Sequence, residues 1–422
     1  MTASGFQLAA GFFVIVSVAG WLNVRLGRLP TAVAMVLAGL ACAGLLLALD
    51  ALGIASHEVR PLLAAVRAVD FQVAVLGYLL AFLLFAGAMQ VDLPELLHRF
   101  APIASLASLG VVVSTLLAGG GLWGASRLLG LDLPLAWAVA FGALIAPTDP
   151  IAVLAAVHEG RFSEDLKSVL LGESLFNDGV GIVLFGAAVS VATAQASPDL
   201  PALAGRVALE AAGAVGLGVL AGAVVVRAMR AIDDYAVEVS ATIALAMGVY
   251  AVAQTIGVSG PIAVAAAGLL LGERGFATAM SETTRRYVRG FWTLVDQILN
   301  AGLFLLLGLE LAAAPPNLTY AGLALAAVIL VTVARWITVL PWGLYFRLRH
   351  GERRATTVLA WGGVHGAISL ALAFSLPEGP ARPVLLTVTF AVVIASVLIQ
   401  GLTFPRLARA LAPAAATDAA AD

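Results

Sequence analysis

The chain has 422 residues, 61% of them hydrophobic and 11% charged, with a formal net charge of −2 and a mean hydropathy of +1.02. A soluble globular domain does not carry so apolar a composition, so the chain reads as a polytopic membrane protein. It holds no nucleic-acid signal and no soluble-cofactor motif: its Gly-rich runs lie in apolar stretches and lack the strand-to-helix context of a phosphate loop.

Apolar runs of about 20 residues, each able to cross a hydrocarbon core of about 30 Å, recur along the whole length and leave no room for a separate soluble domain. Divided at charged, Pro and Gly clusters, they fall at 6–24, 30–50, 69–91, 101–129, 134–157, 166–194, 203–229, 236–256, 259–272, 287–312, 319–346, 355–377 and 383–405. The first has no basic residue before it and no cleavage pattern, and reads as a retained helix. Cys42, the only cysteine, falls within the second run and reads as a small packing residue. The expected fold is all-α, with about 13 transmembrane helices in one domain over residues 1–410 and a low-complexity, disordered tail over 411–422.

Cytoplasmic ends should be enriched in Lys and Arg. With the N-terminus outside, seventeen of the 23 basic residues fall at inward ends, five at outward ends, and Arg335 inside span eleven. An odd number of spans with the C-terminus in the cytoplasm fits, in the cell (inner) membrane.

Span five contains GALIAPTDPIAV, where Pro147 and Pro150 flank Thr148 and Asp149. Proline removes a backbone donor and clashes with the preceding turn, so this helix should break near its middle. Span twelve contains WGGVHGAISLAL, where Gly362, Gly363 and Gly366 weaken the helix around His365. If residues 6–194 and 236–405 are inverted halves joined by a linker helix at 203–229, the two breaks occupy matching places. Paired interruptions of this kind point to a transporter's binding site, because unwound carbonyls and half-helix ends can meet an ion there.

Span six carries GESLFNDG. Asp178 lies 12 residues past Leu166, roughly 18 Å into the span at a rise of about 1.5 Å per residue. Asp149 reaches a similar depth on span five, so the two carboxylates can face one another. Ser174 and Asp178 share one helical face, and Glu173 and Asn177 the next. An uncompensated charge at this depth costs at least about 2.5 kcal/mol, so these groups must be paired or line water. Arg335 is the partner expected for Glu173, as a buried staple. Asn177 reads equally as interhelical glue, while Asp178, beside a broken helix with no spare cation, reads as functional. His365 reads as a neutral imidazole hydrogen-bonded at a glycine kink, with ion ligand or proton relay as alternatives. Glu310 is expected at the outer interface; Asp296 and Glu210 fall within spans whose surroundings are open.

GESLFNDG, APTDP and WGGVHGAISLALAFSLP, in this order, resemble the monovalent cation:proton antiporters of the NhaP type, a group that includes the eukaryotic sodium/proton exchangers. The resemblance covers all the spans. It implies that Asp178 carries the exchanged ion or proton with Asn177 as its neighbour, that Thr148, Asp149 and Ser174 complete the site, and that Glu173 pairs with Arg335. It further implies electroneutral exchange of one monovalent cation, most readily sodium, for one proton, with potassium as the alternative, and a homodimer. Two positions depart from the pattern. His365 stands where an arginine is usual, and Ala86 near a place where some relatives carry an acid.

The mechanism expected is competition: protonated Asp178 is neutral, whereas ionised Asp178 with Ser174, the Thr148 carbonyl and water holds a dehydrated cation. No resident cofactor is implied. A cation channel would need a continuous polar lining, whereas these polar residues cluster at one depth. An intramembrane enzyme built on Ser174, His365 and the aspartates lacks both a Gly-x-Ser-x-Gly element and a metal-ligating His pair.

Overall fold

The computed structural model describes residues 5–27, 29–54, 56–67, 69–149, 163–194, 200–313 and 317–411. Regular structure among them is helical. Among the described residues nine helices are long and apolar enough to cross a membrane: Phe6–Gly27, Thr31–Ala51, Phe100–Leu128, Glu164–Thr193, Ala208–Met229, Tyr235–Ile256, Glu282–Glu310, Leu318–Arg349 and Ala381–Ala408. A further span is Ala355–Gly362 followed by Ala367–Phe374, bent by 42°. The other apolar runs hold shorter helices, Val73–Met89, Leu135–Ile145 and Gly260–Leu270. The span numbers of the sequence are kept as labels. Arg28, His158 and Arg161, Pro150 with the rest of span five, and the tail beyond Leu411 lie outside the described residues.

Two helices form where the sequence reading leaves loops. Ser56–Arg67 packs against spans two and ten, with Val59 and Leu63 against Ala43. It is too short for a span, yet its apolar residues recur at helical spacing. Leu93–His98 is started by Asp92, whose carboxylate accepts from Glu95 N–H at 3.1 Å. Span ten is Glu282–Ala313. Glu310, expected at the outer interface, is buried within the protein at 2% exposure, because neighbouring spans cover this end of the helix.

Between helices in an apolar solvent, association depends on close packing rather than on burial from water. Small residues supply it. A Cβ on Gly39 of span two would lie 2.3 Å from Leu305 O of span ten, and one on Gly308 2.5 Å from Val36 O, so the two backbones touch. Span three packs on span nine, span one on two, and eight on nine. Span four packs on five and eleven, five on six and twelve, and eleven and twelve on each other and on thirteen. Spans five, six and twelve meet spans three and ten across a cavity of about 190 Å³.

Replacing Gly308 by Val forces a side chain into a backbone contact, and overpacking costs about 1–3 kcal/mol. The purified G308V protein should melt at lower temperature than wild type. An unshifted melting temperature would show that this crossing does not hold spans two and ten together.

Candidate ion-binding site

The site is built from one intact helix, one broken helix and the unwound end of a third. The helix of span five stops at Ile145, ahead of Pro147. Span twelve stops at Gly362 and resumes at Ala367. The groups freed in one segment bond to the other: Asp149 N–H donates to Val364 O at 2.6 Å, and His365 Nδ1 lies 3.1 Å from Pro147 O. A carbonyl only accepts, so Nδ1 carries the proton. His365 N–H donates to Ser396 Oγ at 2.9 Å, and that hydroxyl donates to Gln400 Oε1. Glycine is required in this crossing. A Cβ on Gly366 would lie 2.6 Å from Asp149 Oδ2, and one on Gly363 2.4 Å from Arg335 Nε.

Span six, Glu164–Ala194, passes beside the crossing as a continuous helix. Its two polar stripes part as their spacing demands. Glu173, 1% exposed, takes a bidentate pair from Arg335, with Nη2 to Oε2 at 2.9 Å and Nη1 to Oε1. Arg335 Nη2 also donates to Leu359 O at 2.9 Å, so one guanidinium ties spans six, eleven and twelve. On the same stripe Asn177 Nδ2 donates to Thr148 Oγ1 at 2.8 Å. Thr148 Oγ1 lies 3.4 Å from Ser174 Oγ, which links the two stripes.

Ser174 and Asp178, 5% and 8% exposed, face the 190 Å³ cavity together with Asp149. The residues expected at the site thus come together, except His365. That imidazole faces a separate cavity of about 160 Å³ on the other side of span twelve, with Arg335, Ser396 and Gln400. Of the two departures from the family pattern, His365 sits in the crossing, where it bonds the break in span twelve to span five. Ala86 is fully buried, and the cavity is lined instead by its neighbours Gly87 and Gln90. Glu210 is paired with Arg206 at 2.8 Å, one helical turn away.

The opposite wall carries two polar residues of span ten, Asp296 and Asn300. Sequence reasoning left Asp296 unplaced and passed over Asn300. Their spacing of four on an otherwise apolar stretch was the available signal.

A helical bundle in which a broken span meets the unwound end of another beside carboxylates on a shared cavity defines an ion-coupled secondary transporter. Comparison with known proteins agrees. The family described as sodium/hydrogen exchanger, transmembrane, matches residues 13–410, and the chain belongs to that family. The chain is 39% identical to the Na(+)/H(+) antiporter NhaP of Pseudomonas aeruginosa, over 96% of each chain. It is 33% identical to the Na(+)/H(+) antiporter NhaH of Halobacillus dabanensis, over 92% of this chain and 93% of the relative. Its fold is similar to that of the sodium proton antiporter MjNhaP1 from Methanocaldococcus jannaschii, with a TM-score of 0.64 at 19% identity over 90% of this chain and 98% of that one.

Removing one member of a buried ion pair leaves an uncompensated charge, at a cost of about 3–5 kcal/mol. Glu173→Ala should therefore lower the melting temperature and yield of the purified protein, with Arg335→Ala acting alike. If Glu173→Ala melts as wild type does, the pair is not the staple described.

Proposed function

We propose that the protein exchanges a monovalent cation, sodium, for a proton across the cell (inner) membrane, with both ligands competing for Asp178. The observation that carries this reading is the cavity faced together by Asp178, Ser174 and Asp149, with Thr148 and Asn177 bonded to each other beside it. The relatives named as Na(+)/H(+) antiporters support sodium as the cation.

Each group has a part. Asp178 takes either the proton or the cation. Ser174 Oγ and Thr148 supply neutral oxygens to the cation, and Asn177 holds Thr148 in place by donating to its hydroxyl. Asp149 adds a second carboxylate to the same cavity. Glu173 and Arg335 neutralise one another and do not take part in exchange.

Electroneutrality follows from the charge at Asp178. With a proton bound the group is neutral, and with a cation bound it is again neutral. Ionised and unloaded, it carries a bare charge whose exposure to the apolar interior costs at least about 2.5 kcal/mol. The loaded forms cross and the unloaded form is held back, which couples the two gradients. The cavity lies between spans five, six and twelve on one side and three and ten on the other, so relative movement of these two groups would open it alternately.

The packing pairs support inverted halves of about 6–194 and 236–405. Span one on two matches eight on nine; two on ten matches nine on three; four on five matches eleven on twelve; five on six matches twelve on thirteen. Span seven is then the linker. The N-terminus lies outside and the C-terminus in the cytoplasm, following the distribution of basic residues, and the family resemblance supports a homodimer.

In liposomes holding a pH-sensitive dye and a proton gradient, added sodium should restore the dye signal. Asp178→Asn should abolish that response while melting as a folded protein. Exchange that persists in a well-folded Asp178→Asn protein would falsify the single-carboxylate mechanism, and recovery with potassium but not sodium would overturn the choice of cation.

A further inference from the structure

Asp296 and Asn300 lie across the cavity from Asp178, on span ten. They are four residues apart and so share a helical face, and Asn300 Nδ2 donates to Asp296 Oδ1 at 2.9 Å. A carboxylate only accepts, so this bond fixes the orientation of the amide and turns Asn300 Oδ1 away from Asp296. Asn300 is 5% exposed, and its Oδ1 has no hydrogen-bond partner among the described residues. A buried acceptor without a donor is a group held ready for something else.

The surroundings say what that is. Leu80, Leu83, Leu84 and Leu303 belong to the apolar lining of the same cavity, and Gln90 also lines it, with its amide nitrogen bonded to Ala86 O at 3.1 Å. The side-chain oxygen of Gln90 is thereby left as a further acceptor. An anionic oxygen and amide oxygens, with no basic side chain among the described residues of the cavity wall, suit a small hard cation and do not suit an anion.

We propose that Asp296 and Asn300 form a second cation station, on the wall facing Asp178, which holds the incoming monovalent cation before it reaches the exchange site. The inference rests on the reading of Asp178 as the exchange site, and it deepens that reading. Two stations on opposite walls let the cation be partly dehydrated at Asp296 while Asp178 is still protonated. The cation then moves across as the proton leaves. Ala86 supplies no oxygen from span three, and span ten contributes the carboxylate on that side of the cavity instead.

The test separates the second station from the first. In proteoliposomes, Asp296→Asn should raise the KM for sodium several-fold with the maximal exchange rate largely kept, and Asp296→Glu should restore most of the affinity. An unchanged KM would overturn the proposal. Complete loss of exchange by folded Asp296→Asn would overturn it as well, because Asp296 would then belong to the exchange site. A second measurement does not depend on transport. Purified Asp178→Asn protein should still gain thermal stability from sodium at high concentration, and Asp178→Asn/Asp296→Asn should not. Absence of that residual stabilisation would sink the second station and leave the exchange reading intact. Wild-type protein that exchanges no cation, while the residual stabilisation persists, would sink the exchange reading and leave the station.

Discussion

Inside a hydrocarbon layer a broken helix leaves peptide groups without partners, and water is not there to take them. Here span twelve is broken and the helix of span five ends at Ile145, and the groups freed in one segment supply the other. Asp149 N–H finds Val364 O, and Pro147 O meets the protonated nitrogen of His365. The rest of the site follows from this crossing. The two chains can approach only where glycine stands, at Gly363 and Gly366, and that approach brings Arg335 and Asp149 against the break in span twelve. Span six, unbroken, then carries its polar stripes past a surface already fixed.

Charge is divided between two neighbouring places. Glu173 and Arg335 form a closed pair that also holds Leu359 O, which spends their charge on geometry. Asp178 and Asp149 face a cavity whose lining holds no basic side chain among the described residues. The first arrangement resists change because breaking either partner strands a buried charge. The second invites exchange, because any small cation, a proton included, relieves it. The staple therefore has a functional consequence even though it binds no substrate: it fixes the helix from which Asp178 projects.

Much of this was legible in the sequence, for physical reasons that can be named. The break in span twelve and the end of the helix of span five were readable because the glycines around His365 and Pro147 act locally. The Glu173–Arg335 pair was readable because Arg335 was the one basic residue placed inside a span, and a buried carboxylate needs such a partner. Divergence of the two polar stripes followed from helical spacing alone. What stayed hidden depended on which span faces which. The bond from His365 to Pro147 needs the crossing of two segments 218 residues apart. Likewise, Asp296 and Asn300 acquire meaning only when span ten is seen to form the far wall. Glu310 was misplaced because its burial depends on which spans cover the end of its helix, which the sequence of that helix does not carry. Pro150 and the second limb of span five lie outside the described residues.

Competition between proton and cation for Asp178 is the central claim, and the pH dependence of cation affinity tests it most directly. Sodium-driven exchange would be measured in proteoliposomes over a range of pH, with KM and maximal rate determined at each. Competition at one carboxylate predicts that, on the acidic side, the KM for sodium rises by about tenfold per pH unit while saturating sodium restores the same maximal rate. A KM independent of pH, with only the maximal rate falling as protons accumulate, would mean that proton and cation occupy different groups and would contradict the account.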